Sequence, residues 1–260
     1  MSVHEGRPVP TASWPIRPWF KCARNDTPLN IITAPFESPT VITLYHCSDA
    51  RSLRPLWTLE ELGLPYELNM LPFPPRFRAP DYKALNPLGT VPLLLDGDLQ
   101  MTESAAICQY LVARYGPTTL AVTPDEAGYG TFLNALHFGE ATLTFPLTLV
   151  LRYGRFEPPD RRSPQIVADY SRWFLARLRA FATLLEGRDY IAADRFTIAD
   201  ISVAYALLLA GKLALDEQFP PVVTTYWRRL RDRDGYRNAN AAQIKAAAEQ
   251  NIGLTNFEPG

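Results

Sequence analysis

The sequence is poor in cysteine and histidine, with three of each among 260 residues. Cys22, Cys47 and Cys108 form no CxxC pair and have no metal-ligand spacing to a histidine, so neither a disulfide scaffold nor a metal site is expected. The net charge is −1, and no basic stripe indicates nucleic acid as a partner. The longest apolar stretch, 201–210, is too short to span a bilayer. These absences favour a protein of a reducing compartment, the cytoplasm, without a membrane partner.

The chain has enough apolar residues, 47%, to fill real cores, but they are unevenly distributed. The first 40 residues carry seven prolines and no helical or strand periodicity, which predicts an irregular, Pro-rich N-terminal extension over 1–40. From Val41 onward, apolar residues recur with the spacing of strands and helices. The folded part of the chain is therefore expected to begin near Val41.

The region 41–118 has the pattern of an α/β domain. It predicts strands at 41–46, 66–71, 91–95 and 99–101, and helices at 52–62, 80–85 and 103–115. Gly63 and Pro65 end the first of these helices, because glycine is common just after a helix and proline prevents it from resuming. The order βαβαββα predicts a four-stranded mixed sheet of thioredoxin type.

After a linker at 117–124, the region 125–252 has the pattern of an all-α bundle. The predicted helices are 125–153, bent at Pro146, then 164–186, one that starts at Thr197, 221–232 and 239–250. Thr197 and Asp200 have the spacing of a capping box, in which two side chains satisfy backbone N–H groups at a helix start. Asp200 is thus expected to be structural.

The segment 86–112 carries the strongest functional signal. Pro92 cannot donate to a sheet ladder and belongs at the first position of its strand or on an edge strand. We expect the Val91–Pro92 bond to be cis, which would turn the backbone N–H and C=O of Val91 towards an outside peptide. Glu103 and Ser104 begin the next helix, where the charged end group of a bound peptide can be held. The helix N-terminus favours anions, and Glu103 can pair with an ammonium.

These residues, in this order and spacing, resemble the glutathione-binding half of a bacterial-type cytosolic glutathione S-transferase. The resemblance implies a thioredoxin-like N-terminal domain followed by an all-helical domain, and it covers about 42–236. It also implies that glutathione, as co-substrate, binds through Thr90, Val91, Pro92, Glu103 and Ser104. A homodimer, without a metal, is implied in the same way.

The glutathione thiol must ionise before it attacks an electrophile, and lowering its pKa of about 8.5 by two units requires roughly 2.7 kcal/mol. One donor at the start of the first helix suffices, since a hydrogen bond to a charged acceptor supplies about 1.5–3 kcal/mol. Ser52 is the first candidate, because Pro55 then falls at the third helical position. Ser48 and Arg51 are the others. Many bacterial relatives have a serine where this chain has Ala50, so the usual hydroxyl is absent.

The second substrate is expected to be an electrophilic, apolar or aromatic small molecule that lies between this loop and the helix from Asp125. Phe138, Phe145, Tyr153 and Phe156 could form an aromatic wall there. Addition, displacement of a halide or aryloxide, ether cleavage and peroxide reduction all remain open. The leading hypothesis is a glutathione transferase that acts in detoxification.

Two alternatives to the transferase remain. A disulfide or peroxide reductase would use Cys47, although in relatives that act this way the cysteine lies nearer the helix start. A non-catalytic protein with the transferase fold would bind ligands or partners without turning them over.

Overall fold

The sheet of the described chain has four strands: β1 Ile42–His46, β2 Tyr66–Met70, β3 Leu93–Asp96 and β4 Leu99–Met101. They form one mixed sheet in the order β2-β1-β3-β4. The computed structural model describes residues 41–254, and the predicted extension at 1–40 lies outside them. β1 runs parallel to β2 and antiparallel to β3, and β3 is antiparallel to β4. The thioredoxin-type sheet predicted from the sequence is confirmed.

Three helices belong to this half of the chain: α1 Leu53–Leu62, α2 Pro75–Arg78 and α3 Ser104–Arg114, with a 3₁₀ turn at Pro80–Ala84. α1 ends as predicted, since Gly63 adopts the left-handed conformation at φ 63°. α2 was not predicted. It is a single turn with Pro75 at its first position, where the fixed φ of proline suits a helix start.

The second half of the described chain is helical, and no strand follows Met101 within residues 41–254. In the helix predicted over 164–186, the apolar side chains of Phe174, Leu178, Phe181 and Leu185 are fully buried. Its α-helices are α4 Tyr129–His137, α5 Phe145–Leu151, α6 Pro164–Leu184, α7 Ile198–Lys212, α8 Pro221–Arg231 and α9 Asp234–Glu249. Short 3₁₀ turns lie at Pro159–Arg161 and Asp216–Gln218.

The helix predicted over 125–153 differs most from its prediction. It begins at Tyr129, and two π-helical segments, Phe138–Thr144 and Arg152–Phe156, interrupt it. Gly139 lies in the first segment against α7, where an added Cβ would meet the backbone carbon of Ser202 at 2.5 Å. Only glycine allows so close an approach, and π-helical turns are frequent at functional sites.

The start of α7 is held by the predicted capping box. The Thr197 N–H donates to Asp200 Oδ2 over 2.8 Å, and the Thr197 hydroxyl accepts from the Ala199 N–H over 3.3 Å. The other carboxylate oxygen of Asp200 accepts from the Ile191 N–H and the Tyr226 hydroxyl. Burial raises the pKa of Asp200 to about 6, although these hydrogen bonds favour the charged form. Asp200 is structural, as predicted.

Candidate active site

The loop between β1 and α1 is folded tightly against the protein. The Ala50 N–H donates to the Cys47 carbonyl over 3.1 Å, and the Leu53 N–H donates to the Ala50 carbonyl over 2.9 Å. Asp49 lies between them with φ 55°, in the left-handed region that asparagine and aspartate tolerate better than most residues. The chain therefore turns sharply at this point, immediately before α1.

Ser52 precedes α1 as predicted, and Pro55 occupies the third helical position. The Ser52 side chain does not cap α1, because Ser52 has helical backbone angles, φ −65° and ψ −9°, and makes no side-chain hydrogen bond to the helix. Its hydroxyl accepts from the Cys47 N–H over 3.4 Å and donates to the Cys47 carbonyl over 3.5 Å. The side chain is fully buried. This hydroxyl therefore faces the preceding loop, away from solvent.

Ser48 is only 2% exposed, and its hydroxyl has no hydrogen-bond partner among the described residues. Arg51 is different, because a third of its side chain, 33%, is exposed. Of the three predicted thiol activators, Arg51 therefore reaches the surface, and the two serines are enclosed.

Arg51 is bound to the interrupted helix across the loop. Its Nε donates to Glu140 Oε1 over 2.6 Å, and its Nη2 donates to the hydroxyl of Thr148 over 3.0 Å. Burial alone would lower the pKa of Arg51, but Glu140 outweighs it, and the pKa lies above its ordinary value. Glu103 raises it further. Arg51 thus remains charged beside Glu103.

Arg54, on α1, is fully buried and binds the other oxygen of Glu140. It also donates to the backbone carbonyl of Ser202 and the hydroxyls of Thr144 and Ser104, at 2.9–3.2 Å. Burial would raise the pKa of Glu140, but the two arginines hold it below its ordinary value. Two guanidinium groups thus share one carboxylate, and the cluster has a net positive charge.

Val91 and Pro92 lie directly before β3, so Pro92 is not the first residue of the strand as predicted. Their peptide bond is cis, as expected. Val91 packs in a small apolar cluster with Cys47 and Ala50, which brings this segment to the loop before α1. Thr90 is exposed, and its carbonyl accepts from Tyr82 and Asn86.

Glu103 and Ser104 lie at the start of α3. Glu103 is exposed, and among the described residues it makes no side-chain hydrogen bond to the helix that it precedes. Ser104 is 3% exposed, and its hydroxyl accepts from Arg54 Nη1 over 3.1 Å. Arg54 therefore connects the start of α3 to the Arg51–Glu140 pair.

The four aromatic residues predicted to line the second-substrate site do not form one wall. Phe138 stacks on Phe181 of α6 at 6.0 Å between ring centroids, and Phe145 contacts Trp173 of α6 edge to face at 6.2 Å. Tyr153 lies beneath the guanidinium of Arg152. Phe156 packs on Phe73, 5.4 Å away, in the loop that follows β2. Phe156 alone of these four is therefore shown in contact with the half of the chain that carries the loop before α1.

Three polar residues of the interrupted helix contact Arg51 or Arg54, and sequence reasoning missed them. They are Glu140, Thr144 and Thr148, which recur every four positions. That spacing places them on one face of a helix and was the available signal. Arg54, the residue of α1 that binds Glu140, was also missed.

Comparison with known proteins agrees with this geometry. A family model described as Glutathione S-transferase, N-terminal domain, matches residues 50–114. Glutathione S-transferase hmp2 of Hypomyces subiculosus is 30% identical over 214 residues, which cover 77% of this chain and 98% of that protein. The chain belongs to the glutathione S-transferase family. The predicted enzyme class, a glutathione transferase, is thereby confirmed.

Other relatives of this transferase extend the likeness. The probable glutathione S-transferase GSTF2 of Oryza sativa subsp. japonica is 31% identical over 185 residues, covering 67% of this chain and 84% of that protein. The crystal structure of glutathione transferase URE2P5 from Phanerochaete chrysosporium has a TM-score of 0.71 and 24% identity, covering 83% of this chain and all of that one. A second crystal of Ure2p5 contains 1-(S-glutathionyl)-2,4-dinitrobenzene, with a TM-score of 0.69, 22% identity and coverages of 82% and 99%. The predicted fold is confirmed.

Cys47 of this transferase is buried, and burial raises the pKa of its thiol. Because the thiolate is the reactive form, this environment opposes redox chemistry at Cys47. Within residues 41–254, no group of three or more potential ligands is placed to hold a metal ion. No helix in the same range is long and apolar enough to cross a membrane.

Proposed function

We propose that this transferase binds glutathione along Thr90, Val91 and Pro92 and at the start of α3, and that Arg51 stabilises the thiolate. The observation that carries the proposal is the partly exposed, charged side chain of Arg51 immediately before α1, whose pKa is raised by Glu140 and Glu103. Ser52 and Ser48, the predicted hydroxyl donors, are enclosed. Arg51 therefore replaces them as the first candidate.

Charge supports this role for Arg51. Glu140 balances one of the two guanidinium groups that it binds, so one positive charge is left near the helix start. The N-terminus of α1 adds a partial positive charge that favours anions. An opposite charge within about 4–6 Å lowers the pKa of an acid by roughly one to three units, which covers the shift that a reactive glutathione thiol requires.

The γ-glutamyl end is assigned to Glu103 and Ser104. Replacing Glu103 by alanine should weaken glutathione binding by about 1.5 kcal/mol, or roughly tenfold, because a charged hydrogen bond to the ammonium is lost. Titration calorimetry measures this change. Asp98→Ala, in the exposed turn after β3, is the matched control and should leave the affinity unchanged. Equal affinities for all three proteins would contradict the assignment.

The second substrate is proposed to be an electrophilic aromatic or apolar molecule, with Phe156 and Tyr153 beside it. Phe73, which packs on Phe156, adds a second ring at this position. The test is conjugation of glutathione to 1-chloro-2,4-dinitrobenzene, followed by a panel of hydroperoxides, disulfides and aryl ethers. Conjugation should survive Cys47→Ser. If only disulfide reduction is found and Cys47→Ser abolishes it, the chain is the reductase instead.

A homodimer is proposed, with α3 and α4 forming the symmetric core. We expect light scattering at micromolar concentration to give twice the mass of one chain. A charge placed on the exposed face of α3, as in Ala106→Glu, should shift the mass towards that of a single chain. A monomer in the unsubstituted protein would contradict the proposal.

The remaining assignments are proposed from the sequence and the family. The glutathione-binding domain is assigned to 41–118 and the helical domain to 125–252. A cytoplasmic location and a role in detoxification follow from the family and from the sparse cysteines. The bacterial type within the family remains a prediction, since the relatives named above are fungal and plant proteins.

A further inference from the structure

We propose that Gln243, on α9 near the end of the chain, is a positioning residue that holds the loop before α1 in its active conformation. Gln243 is 3% exposed, and it lies 194 residues from Asp49 in the sequence. The proposal rests on the proposed function, because the loop matters for catalysis only if it activates the glutathione thiol.

The amide of Gln243 binds Asp49 twice. Its Oε1 accepts from the Asp49 backbone N–H over 3.1 Å, and its Nε2 donates to Asp49 Oδ1 over 3.0 Å. The backbone donor fixes which end of the amide is oxygen. Asp49 has φ 55°, a conformation that costs free energy for a residue with a Cβ, so its two bonds to Gln243 stabilise the turn. Gln243 is therefore bound to the one residue of the loop with strained backbone angles.

Two further contacts hold the amide itself. The ring Nε2 of His46 lies 2.9 Å from Gln243 Oε1 and, because that oxygen only accepts, His46 donates from Nε2. Gln243 Nε2 also donates to Asn240 Oδ1 over 2.7 Å. All four hydrogen bonds that the Gln243 amide can make are therefore formed, so its position is fully determined. The other carboxylate oxygen of Asp49 pairs with Lys212, at the end of α7, over 2.7 Å.

The loop leads directly from Asp49 to Arg51. If Gln243 releases Asp49, the turn can relax, and both the Arg51 backbone and the start of α1 move relative to a bound thiol. Such a change raises the pKa of the bound thiol and leaves binding of the rest of glutathione, at Val91 and Glu103, in place. Gln243 thus acts through Asp49 on the loop and the start of α1, and does not touch substrate.

Several charged or titratable groups surround this loop, and a pH profile must be read with them in mind. Burial lowers the pKa of His46 to about 4, so His46 stays neutral through the neutral range. The other charged groups around the loop are Lys212, Arg51, Glu140, Glu103 and Asp49. Burial raises the pKa of Tyr205 and that of Tyr236 to about 12, so both keep their protons in the neutral range.

The test is Gln243→Met, which keeps the length of the side chain and removes its polar atoms. We expect the pH profile of kcat/KM with 1-chloro-2,4-dinitrobenzene to shift upward by about one unit, a roughly tenfold loss below the transition. The KM for glutathione should change little. Gln243→Asn, which keeps an amide but cannot span the same contacts, should shift the profile in the same direction and serves if the methionine variant does not fold.

Gln250→Met is the matched control, because Gln250 also joins the end of α9 to the other half of the chain. It accepts from the Met70 N–H over 2.8 Å and donates to the Leu68 carbonyl over 2.7 Å, both on β2. Its loss should lower thermal stability without moving the pH profile. If Gln243→Met or Gln243→Asn lowers only stability and leaves the pH profile in place, which is the result expected for Gln250→Met, the inference is overturned.

Arg51→Gln separates this inference from the proposed function. An upward shift in both Arg51→Gln and Gln243→Met supports both. A shift in Arg51→Gln alone overturns the role of Gln243 and leaves the proposed function intact. A shift in Gln243→Met alone supports the positioning role and overturns the assignment of Arg51.

Discussion

Replacing Glu140 by leucine should lower the free energy of unfolding by about 3–5 kcal/mol, the cost of leaving a buried charge without its partner. The charge left behind belongs to Arg54, which is fully buried on α1. Its remaining partners are neutral oxygens of Ser104, Thr144 and Ser202, which do not balance a charge. Urea denaturation at neutral pH measures the loss.

Two comparisons test the cause of this loss. Asp169→Leu breaks an exposed ion pair with Arg172 on α6, and should cost about 0–1 kcal/mol. The double variant Arg54→Met/Glu140→Leu should be less destabilised than the sum of the two single variants, because neither charge is then left alone. A loss below about 1 kcal/mol for Glu140→Leu would show that the neutral oxygens satisfy Arg54.

The same pair predicts a dependence on pH. Arg54 and Arg51 hold the pKa of Glu140 below its ordinary value, despite burial, so the unfolded chain takes up a proton first as the pH falls. The stabilisation is fully present above the unfolded pKa of about 4.3 and is lost as the pH falls through the folded pKa. The difference in stability between the unsubstituted protein and Glu140→Leu should therefore shrink under acid conditions.

Local signals predicted the elements of this fold well. Gly63 ended α1 and the Thr197–Asp200 spacing started α7, because each depends on residues within a few positions of one another. The π-helical segments could not be predicted in this way. The one around Gly139 depends on close contact with Ser202, which lies far along the chain.

The candidate site shows the same division. The cis bond before Pro92 and the position of Ser52 at the helix start follow from residue types and spacing. The direction of the Ser52 hydroxyl does not, because it depends on the backbone of Cys47. Arg54 stands among the buried, mostly apolar residues of α1, and its burial is explained only by the Glu140 carboxylate that it binds. Long-range polar contacts of this kind leave little trace in a single sequence.

Arg51→Gln should raise the pKa of the bound glutathione thiol by about one to two units, because the variant removes the exposed positive charge next to it. The rate well below the thiol transition should then fall roughly 10- to 100-fold, and the rates of variant and unsubstituted enzyme should converge at high pH, where both thiols are ionised. The pH profile of kcat/KM and the ultraviolet absorbance of the bound thiolate measure the shift.

Three further variants show whether the charge of Arg51 is responsible. Arg51→Lys retains a positive charge and should recover part of the loss, although it cannot keep both contacts to Glu140 and Thr148. Ser48→Ala and Ser52→Ala should leave the pH profile in place, because neither hydroxyl is exposed. Ser52→Ala should still lose some stability, since its two bonds to Cys47 are broken. If a serine variant moves the profile and Arg51→Gln does not, a hydroxyl activates the thiol after all, which would require the loop to open when glutathione binds.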